Sequence, residues 1–467
     1  MTDTLWTWDD LVAASGGAAD GAPAGGVTGF SIDTRTLQPG EVFVALKDAR
    51  DGHDFVPQAF AQGAAAALVA HGYARQTGDG ALLRVDAPLA GLGAIARAAR
   101  RRSAARIVAV TGSVGKTGTK EMLRAVLGRL GRTHAPEKSF NNHWGVPLTL
   151  ARMPTQAVYG VFEIGMNHAG EITPLTAMVR PHVAIVTTVE AVHLEHFESV
   201  AGIADAKGEI FTGLEPGGVA IINCDNPWGQ RLAGHARSFG ARILTFGRQA
   251  EAEIRLEDAS TDPNGTAVTA SHAGYCFHWR LGAPGAHIAQ NSLAVLAALI
   301  ALDIDRAEIL RALGALATLT APQGRGARSE IRVAGGTVLL IDESYNANPA
   351  SMRAALAGLA MVPRENFPRR VAVLGDMLEL GPEGPALHEA LIDAVDAAGI
   401  DLVFAAGTSM KRLFDRLPAA AQGGWAARAA DIEADLLAAV RAGDAVMVKG
   451  SLGSRMGPLV EALKRRD

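Results

Sequence analysis

At 467 residues the chain is long for one hydrophobic core, and a prior of about 150 residues per domain gives roughly three. A hydrophobic content of 48%, a charged content of 20% and a net charge of −4 describe a globular chain with no electrostatic footing for nucleic acid or an anionic membrane. Two cysteines, Cys224 and Cys276, exclude a disulfide framework and a thiolate zinc site. The acidic start MTDTLWTWDDLV does not read as a signal peptide, and no apolar run reaches the ~18 residues of a membrane span, so a cytoplasmic location without membrane insertion is expected.

The first hundred residues carry a turn-rich pattern. A β-type run at Glu41 to Leu46 is followed by an Ala-rich stretch, Val56 to Leu68, that reads as helix. The Ala/Arg helix LGAIARAARRRSA then leads into the apolar strand RIVAVTG, which places a first boundary at 104. From 105 to 320 the pattern is strand, glycine turn, helix. VYGVFEIG, VAIVTTV, VAIINC and RILTFG are short β-branched runs of the kind buried on both faces of a parallel sheet. The stretch AQNSLAVLAALIALDI reads as a helix closing this unit. After the Pro/Gly/Arg cluster APQGRGARSE, strands resume at TVLLIDESYN, RRVAVLGD, DLVFAAG and DAVMVKGS, giving a third α/β unit over 321–467. The expected fold is therefore α/β in three domains: a small N-terminal unit (1–104), a central P-loop parallel-sheet unit (105–320) and a C-terminal Rossmann-like unit.

The segment RIVAVTGSVGKTGTKEML departs from the common phosphate-loop spelling, because Val110 stands where the first glycine belongs. Physically it remains a phosphate cradle. A buried strand reaches a glycine turn and a helix begins at once, so free backbone N–H groups over Gly112, Ser113, Val114, Gly115, Lys116 and Thr117 converge with the helix dipole. Lys116 adds a cation for the β/γ-phosphates, and Thr117 adds a hydroxyl for Mg²⁺. Glu163 and His193 follow strands whose carboxyl ends share the rim of that loop. A carboxylate there suits Mg²⁺, although Glu163 alone also reads as a cap or ion pair, and His193 as structural. Lys207 lies at i+4 on the apolar stripe Ile203, Ile210, Phe211, Leu214. It either snorkels to water or is buried, with a depressed pKa and a nucleophilic amine able to take up CO₂ as a carbamate.

With these residues in hand, the chain resembles the Mur ligases, the ATP-dependent amide-bond synthetases of peptidoglycan assembly, over nearly its whole length. TGSVGKT matches the family's loop, and SFNNHWGVPLTL, with Asn141 and Asn142, resembles its Asn-x-x-Gly-x-Pro stretch. The segment from His193 to Lys207 resembles its histidine and carbamylated-lysine element. The likeness implies two Mg²⁺ ions, one on Thr117 and Glu163 and one on His193 and the CO₂-derived carbamate of Lys207. It implies an ATP site that adds Asn291 at adenine, Arg325 at the phosphates, Asp342 at the ribose, and Tyr345 and Asn346. Lys116, His193, Lys207 and Arg325 would be the catalytic set.

IDTRTLQPGEVFVAL…DGHDF resembles the family's uridine-nucleotide domain, implying Asp33, Thr34, Arg35 and His53 as substrate contacts, and Asn141, Asn142 and Asn348 complete the implied substrate set. DESYNANPASM and VLGDMLELG imply the branch joining UDP-N-acetylmuramoyl-tripeptide to D-alanyl-D-alanine through an acyl phosphate, giving ADP and phosphate, in a monomeric enzyme with no nucleic-acid partner. Another amino-acid-adding Mur ligase, a P-loop kinase and a non-catalytic nucleotide binder are the competing readings. Gly118 and Ile288 depart from common family choices.

Overall fold

The computed structural model describes residues 4–192, 194–262 and 264–466, and its strands form three sheets. The first is five-stranded, in the order Ala18–Asp20, Ala81–Val85, Ala66–Ala70, Glu41–Val44, Gly29–Ser31, and only its Ala18–Asp20 edge is antiparallel. The single helix expected over Val56 to Leu68 is not there. The helix ends at Ala61, Gly63 turns the chain at φ +92, and Ala66–Ala70 becomes a central strand. Ala66, Ala67, Leu68 and Val69 are fully buried, so packing overrides the helical preference of alanine.

This sheet shares its core with the next unit. Phe30, Val42 and Leu83 pack with Leu148 and Ala151 of the helix Gly145–Ala151. Trp6 Nε1 donates to the Ala151 carbonyl at 3.1 Å, and Arg152 Nε donates to that of Phe30 at 2.7 Å.

The second sheet is nine-stranded: Thr133–His134, Tyr159–Glu163, Arg106–Thr111, Val183–Val186, Val219–Asn223, Arg242–Gly247, Ile254–Asp262, Gly265–His272, Tyr275–Leu281. All are parallel as far as Ile254–Asp262, and the last two close an antiparallel meander for which the sequence pattern predicts no elements. Val108 and Val110 pack into one layer while Ile107 and Ala109 pack into the other, as a strand covered on both faces requires. From Arg106–Thr111 the chain builds outward on both sides. The carboxyl ends of 106–111, 159–163 and 183–186 therefore flank a switch point, where open α/β sheets place their ligands. The stripe around Lys207 is helical over Val200–Gly208 and tightens to a 3₁₀ turn over Glu209–Gly213, with Ile203, Ile210 and Phe211 fully buried.

The third sheet is six-stranded, with Ala327–Val333 as an antiparallel edge beside Gly336–Glu343, Asp444–Lys449, Arg369–Gly375, Leu402–Ala406 and Gln422–Ala426. Its two core layers draw on residues between 331 and 463. No helix among the described residues is long and apolar enough to cross a membrane.

Candidate active site

The strand Arg106–Thr111 delivers the chain to Gly112 (φ +148) and Gly115 (φ +88), immediately before the helix Lys116–Leu127. A Cβ on Gly112 would lie 2.0 Å from Thr187 Oγ1, and one on Gly115 would lie 2.6 Å from Asn291 Nδ2. Ser113 is pinned to the next strand end: its N–H donates to the Thr188 carbonyl at 2.8 Å, and its hydroxyl accepts from the Glu190 N–H at 2.9 Å. The loop is thus held open as a cradle. Lys116 curls back to donate to the Gly112 carbonyl. Burial lowers its pKa to about 8; Glu163 opposes that shift and Arg325 adds to it.

One strand over, Glu163 is 1% exposed and accepts from Thr117 Oγ1 at 2.9 Å and from Asn141 Nδ2 at 2.7 Å. Ser139 Oγ lies 3.2 Å from Thr117 Oγ1 and accepts from Arg325 Nη2 at 3.4 Å. Arg325 also stands 4.4 Å over the ring of Tyr345. Residues widely separated in sequence thereby meet around one point. The donor set fits Mg²⁺: a buried carboxylate and a hydroxyl beside a phosphate cradle. Among the described residues no cluster of three or more His, Cys, Asp or Glu forms a metal cage, and Mg²⁺ usually takes its remaining ligands from phosphate and water.

Lys207 is 2% exposed, and its amine has no hydrogen-bond or ion-pair partner among the described residues. Desolvation, reinforced by Lys116, pushes its pKa well below the usual lysine range. His193 lies outside the described residues.

Ser113, Gly115, Lys116, Asn141, Glu163 and Arg325 line a cleft of about 510 Å³ whose far wall comes from the third sheet and the helix after it, and Lys207 is not among the lining residues. Asn291, Ile288, Tyr345, Asn346 and Asn348 line it. Asn348 also caps the helix Pro349–Ala360 by accepting from the Ser351 N–H at 2.9 Å. Asp342 sits beneath the wall, not in it. Its carboxylate accepts from the N–H groups of Gly324 (2.9 Å) and Ser344 (3.1 Å) and fastens the turn carrying Arg325. Two features escape the sequence reading. Ser139 has no signal beyond lying two residues before Asn141. Lys449, 2% exposed on the buried strand DAVMVK, pairs with Glu343 at 3.3 Å and donates to the Asn346 carbonyl at 2.9 Å; a lysine in an apolar strand is its signal.

At the first sheet, Arg35 binds Asp33 through Nε (2.9 Å) and Nη2 (2.6 Å), holding the Asp33 carboxyl below its usual range, while Thr34 is buried. His53 donates from Nδ1 to Asp51 at 2.6 Å and accepts the Ala70 N–H on Nε2 at 2.9 Å, so both nitrogens are committed. Its ring and Tyr73 line a second hollow of about 400 Å³. Asn142 accepts from the Gly145 N–H at 2.9 Å, just ahead of the next helix, and is absent from the cleft wall. Gly118 has open space around its missing Cβ.

Residues 110–299 match the Mur ligase middle domain, and residues 327–452 match the Mur ligase glutamate ligase domain. The UDP-N-acetylmuramoyl-tripeptide–D-alanyl-D-alanine ligase of Escherichia coli K12 is 38% identical over 443 residues, covering 93% of each chain. The enzyme of the same name from Bacillus subtilis is 34% identical, covering 82% of this chain and 80% of its own. A crystal structure of MurF from Acinetobacter baumannii superposes with a TM-score of 0.83 at 29% identity, covering both chains fully. The chain belongs to the Mur ligase family, in its branch of ATP-dependent UDP-N-acetylmuramoyl-tripeptide–D-alanyl-D-alanine ligases.

Proposed function

We propose that this cleft activates the terminal carboxylate of a UDP-N-acetylmuramoyl-tripeptide on the γ-phosphate of ATP, then passes the acyl group to the amine of D-alanyl-D-alanine. The carrying observation is that the P-loop, the Thr117–Glu163 pair and Arg325, from the turn that leads into the third sheet, converge on one point. A carboxylate and a triphosphate repel each other, so their reaction needs positive charge and rigid placement. The loop N–H groups and Lys116 hold the β/γ-phosphates, and Arg325 reaches the same phosphates from the other lobe. Thr117 and Glu163 would hold Mg²⁺, which would supply charge neutralisation for in-line transfer.

Lys207, buried and without a partner among the described residues, is suited to form a carbamate: its neutral amine would add to the carbon of CO₂ and release one proton, leaving an anionic oxygen donor that could hold a second ion together with His193. Asn291 supports the adenine site, where its amide abuts Gly115. Asp342 supports the nucleotide site through the Arg325 turn. Asp33, Thr34 and Arg35 follow the strand Gly29–Ser31 and His53 follows Glu41–Val44, so they come after the carboxyl ends of adjacent parallel strands, a placement that suits a uridine diphosphate, although of the four only His53 lines the second hollow. With the cleft assembled from a single chain, a monomer suffices, and substrates of this class belong to the cytoplasm.

ADP release should require both UDP-muramoyl tripeptide and D-alanyl-D-alanine, and hydroxylamine should trap an acyl hydroxamate. A stable phosphorylated product formed without any amine would instead make the protein a kinase.

A further inference from the structure

We infer that Ser139 is a positioning residue that ties the arrival of the third lobe to cation binding at Thr117 and Glu163; the inference rests on the metal reading of those two residues given above. The direction of the hydrogen bonds carries it. Thr117 has one hydroxyl proton, and it goes to Glu163 Oε2 at 2.9 Å. In the 3.2 Å contact between the hydroxyls, Ser139 must therefore donate and Thr117 accept. Ser139 keeps its lone pairs, and one of them accepts Arg325 Nη2 at 3.4 Å. The result is a one-way chain, Arg325 to Ser139 to Thr117 to Glu163, with Asn141 satisfying the second carboxylate oxygen at 2.7 Å.

Thr117 and Glu163 are 5% and 1% exposed, so the protein, not bulk water, orients the Thr117 hydroxyl. With Ser139 on one lone pair and Glu163 on the proton, the other lone pair of Thr117 is left for a cation. Ser139 itself is held firmly. Its neighbour Phe140 packs against the core of the first sheet and meets Trp144 edge-on at 5.9 Å, and the Phe140 N–H donates to the Lys138 carbonyl at 2.8 Å. The Gly324 and Gly326 N–H groups bind Asp342 of the third sheet, so a displacement of that lobe would carry Arg325 with it. The Ser139 hydroxyl then loses the charged donor that fixes its rotation, and Thr117 loses a fixed donor in turn. Cation affinity is thereby coupled to lobe position, and by reciprocity a bound cation favours the engaged lobe.

The test uses the full-length protein saturated with ADP and titrated with Mn²⁺, an oxygen-seeking stand-in for Mg²⁺ whose free ion is read by electron paramagnetic resonance. Ser139→Ala should weaken Mn²⁺ binding by roughly fivefold, the worth of one lost neutral hydrogen bond, while metal-free ADP affinity stays unchanged. Ser139→Thr should restore it. Arg325→Ala should weaken Mn²⁺ binding by a similar factor, and adding Ser139→Ala to it should change little more. Unchanged Mn²⁺ affinity in Ser139→Ala, or additive losses in the double variant, would overturn the coupling. If Ser139→Ala proves unstable to heat, unchanged Mn²⁺ affinity in Arg325→Ala overturns it equally. Glu163→Gln separates the two levels. Loss of Mn²⁺ there with none in Ser139→Ala defeats this inference alone, whereas no loss in Glu163→Gln removes the metal reading beneath it.

Discussion

Replacing Gly115 by alanine tests whether the phosphate loop is held as tightly as its contacts imply. Gly115 sits at φ +88, ψ −11, where an L-residue costs ~1–2 kcal/mol. Its new Cβ would also stand 2.6 Å from Asn291 Nδ2 and 2.8 Å from Oδ1, so the amide beside the nucleotide has to move. Forcing atoms into a packed site adds about 1–3 kcal/mol. The sum of the lower values, about 2 kcal/mol, is the strain of keeping the loop in its present shape. A variant loop that relaxes to escape it must recover that strain on binding, which weakens the complex by up to roughly 30-fold at 1.4 kcal/mol for each factor of ten. The assay is calorimetric titration with ADP, paired with a thermal melt. Gly118→Ala is the internal control. That site is helical with nothing within 4 Å of a Cβ, so alanine should stabilise the protein by about 0.8–1.0 kcal/mol and leave ADP affinity within about twofold. Should Gly115→Ala bind ADP within about threefold of the parent, the geometric reasoning fails.

Lys116 titrates at about 8 in the free protein and should titrate higher against phosphates, so ADP binding near pH 8.5 should take up a proton. Calorimetry in two buffers of different ionisation enthalpy should detect that uptake, and Lys116→Met should abolish it. Because the folded value lies below the unfolded 10.5, the unfolded chain holds the extra proton between about pH 8 and 10.5. Stability from this group therefore rises with pH across that window, and denaturation of Lys116→Met should lack that rise. Lys207→Ala should lose most ligase activity, and short carboxylic acids should restore part of it; undiminished activity would eliminate the carbamate. Asp342→Asn should cost about 1–3 kcal/mol by mismatching the Gly324 and Ser344 N–H groups. It should leave the preference for ATP over 2′-deoxy-ATP unchanged in a competition assay, whereas a direct ribose contact would make that preference disappear.

Local chemistry is what a sequence displays best. Gly112 to Thr117 is legible because strand, glycine and helix are contiguous, and Glu163 because strand ends share a rim. The burial of Lys207 stays open in the sequence, since a lysine on an apolar stripe can either snorkel or stay in, and only the surrounding helices decide. Val56 to Leu68 misleads because alanine's helical preference is intrinsic while the burial of Ala66 to Val69 is tertiary. The meander from Ile254 to Leu281 is masked by polar, exposed positions on one face of each strand. Arg325, Asn291 and Asp342 enter through family resemblance, because their partners lie far away in the chain. Ser139 is invisible for the same reason: nothing in KSFNN announces a third-lobe arginine.

Leu148 and Ala151 belong to the same hydrophobic layer as Phe30 and Leu83, whereas the layers of the third sheet admit no residue before 331. Among the described residues a buried seam therefore joins the first two sheets, and no such seam joins the third to them. On the reading proposed above, that seam fixes the distance between the sugar-nucleotide end and the triphosphate end, and with it the length of muramoyl peptide that can span them. A cut after residue 104 would leave both fragments with a greasy, unsatisfied seam, while a cut near 322 would free a self-contained lid.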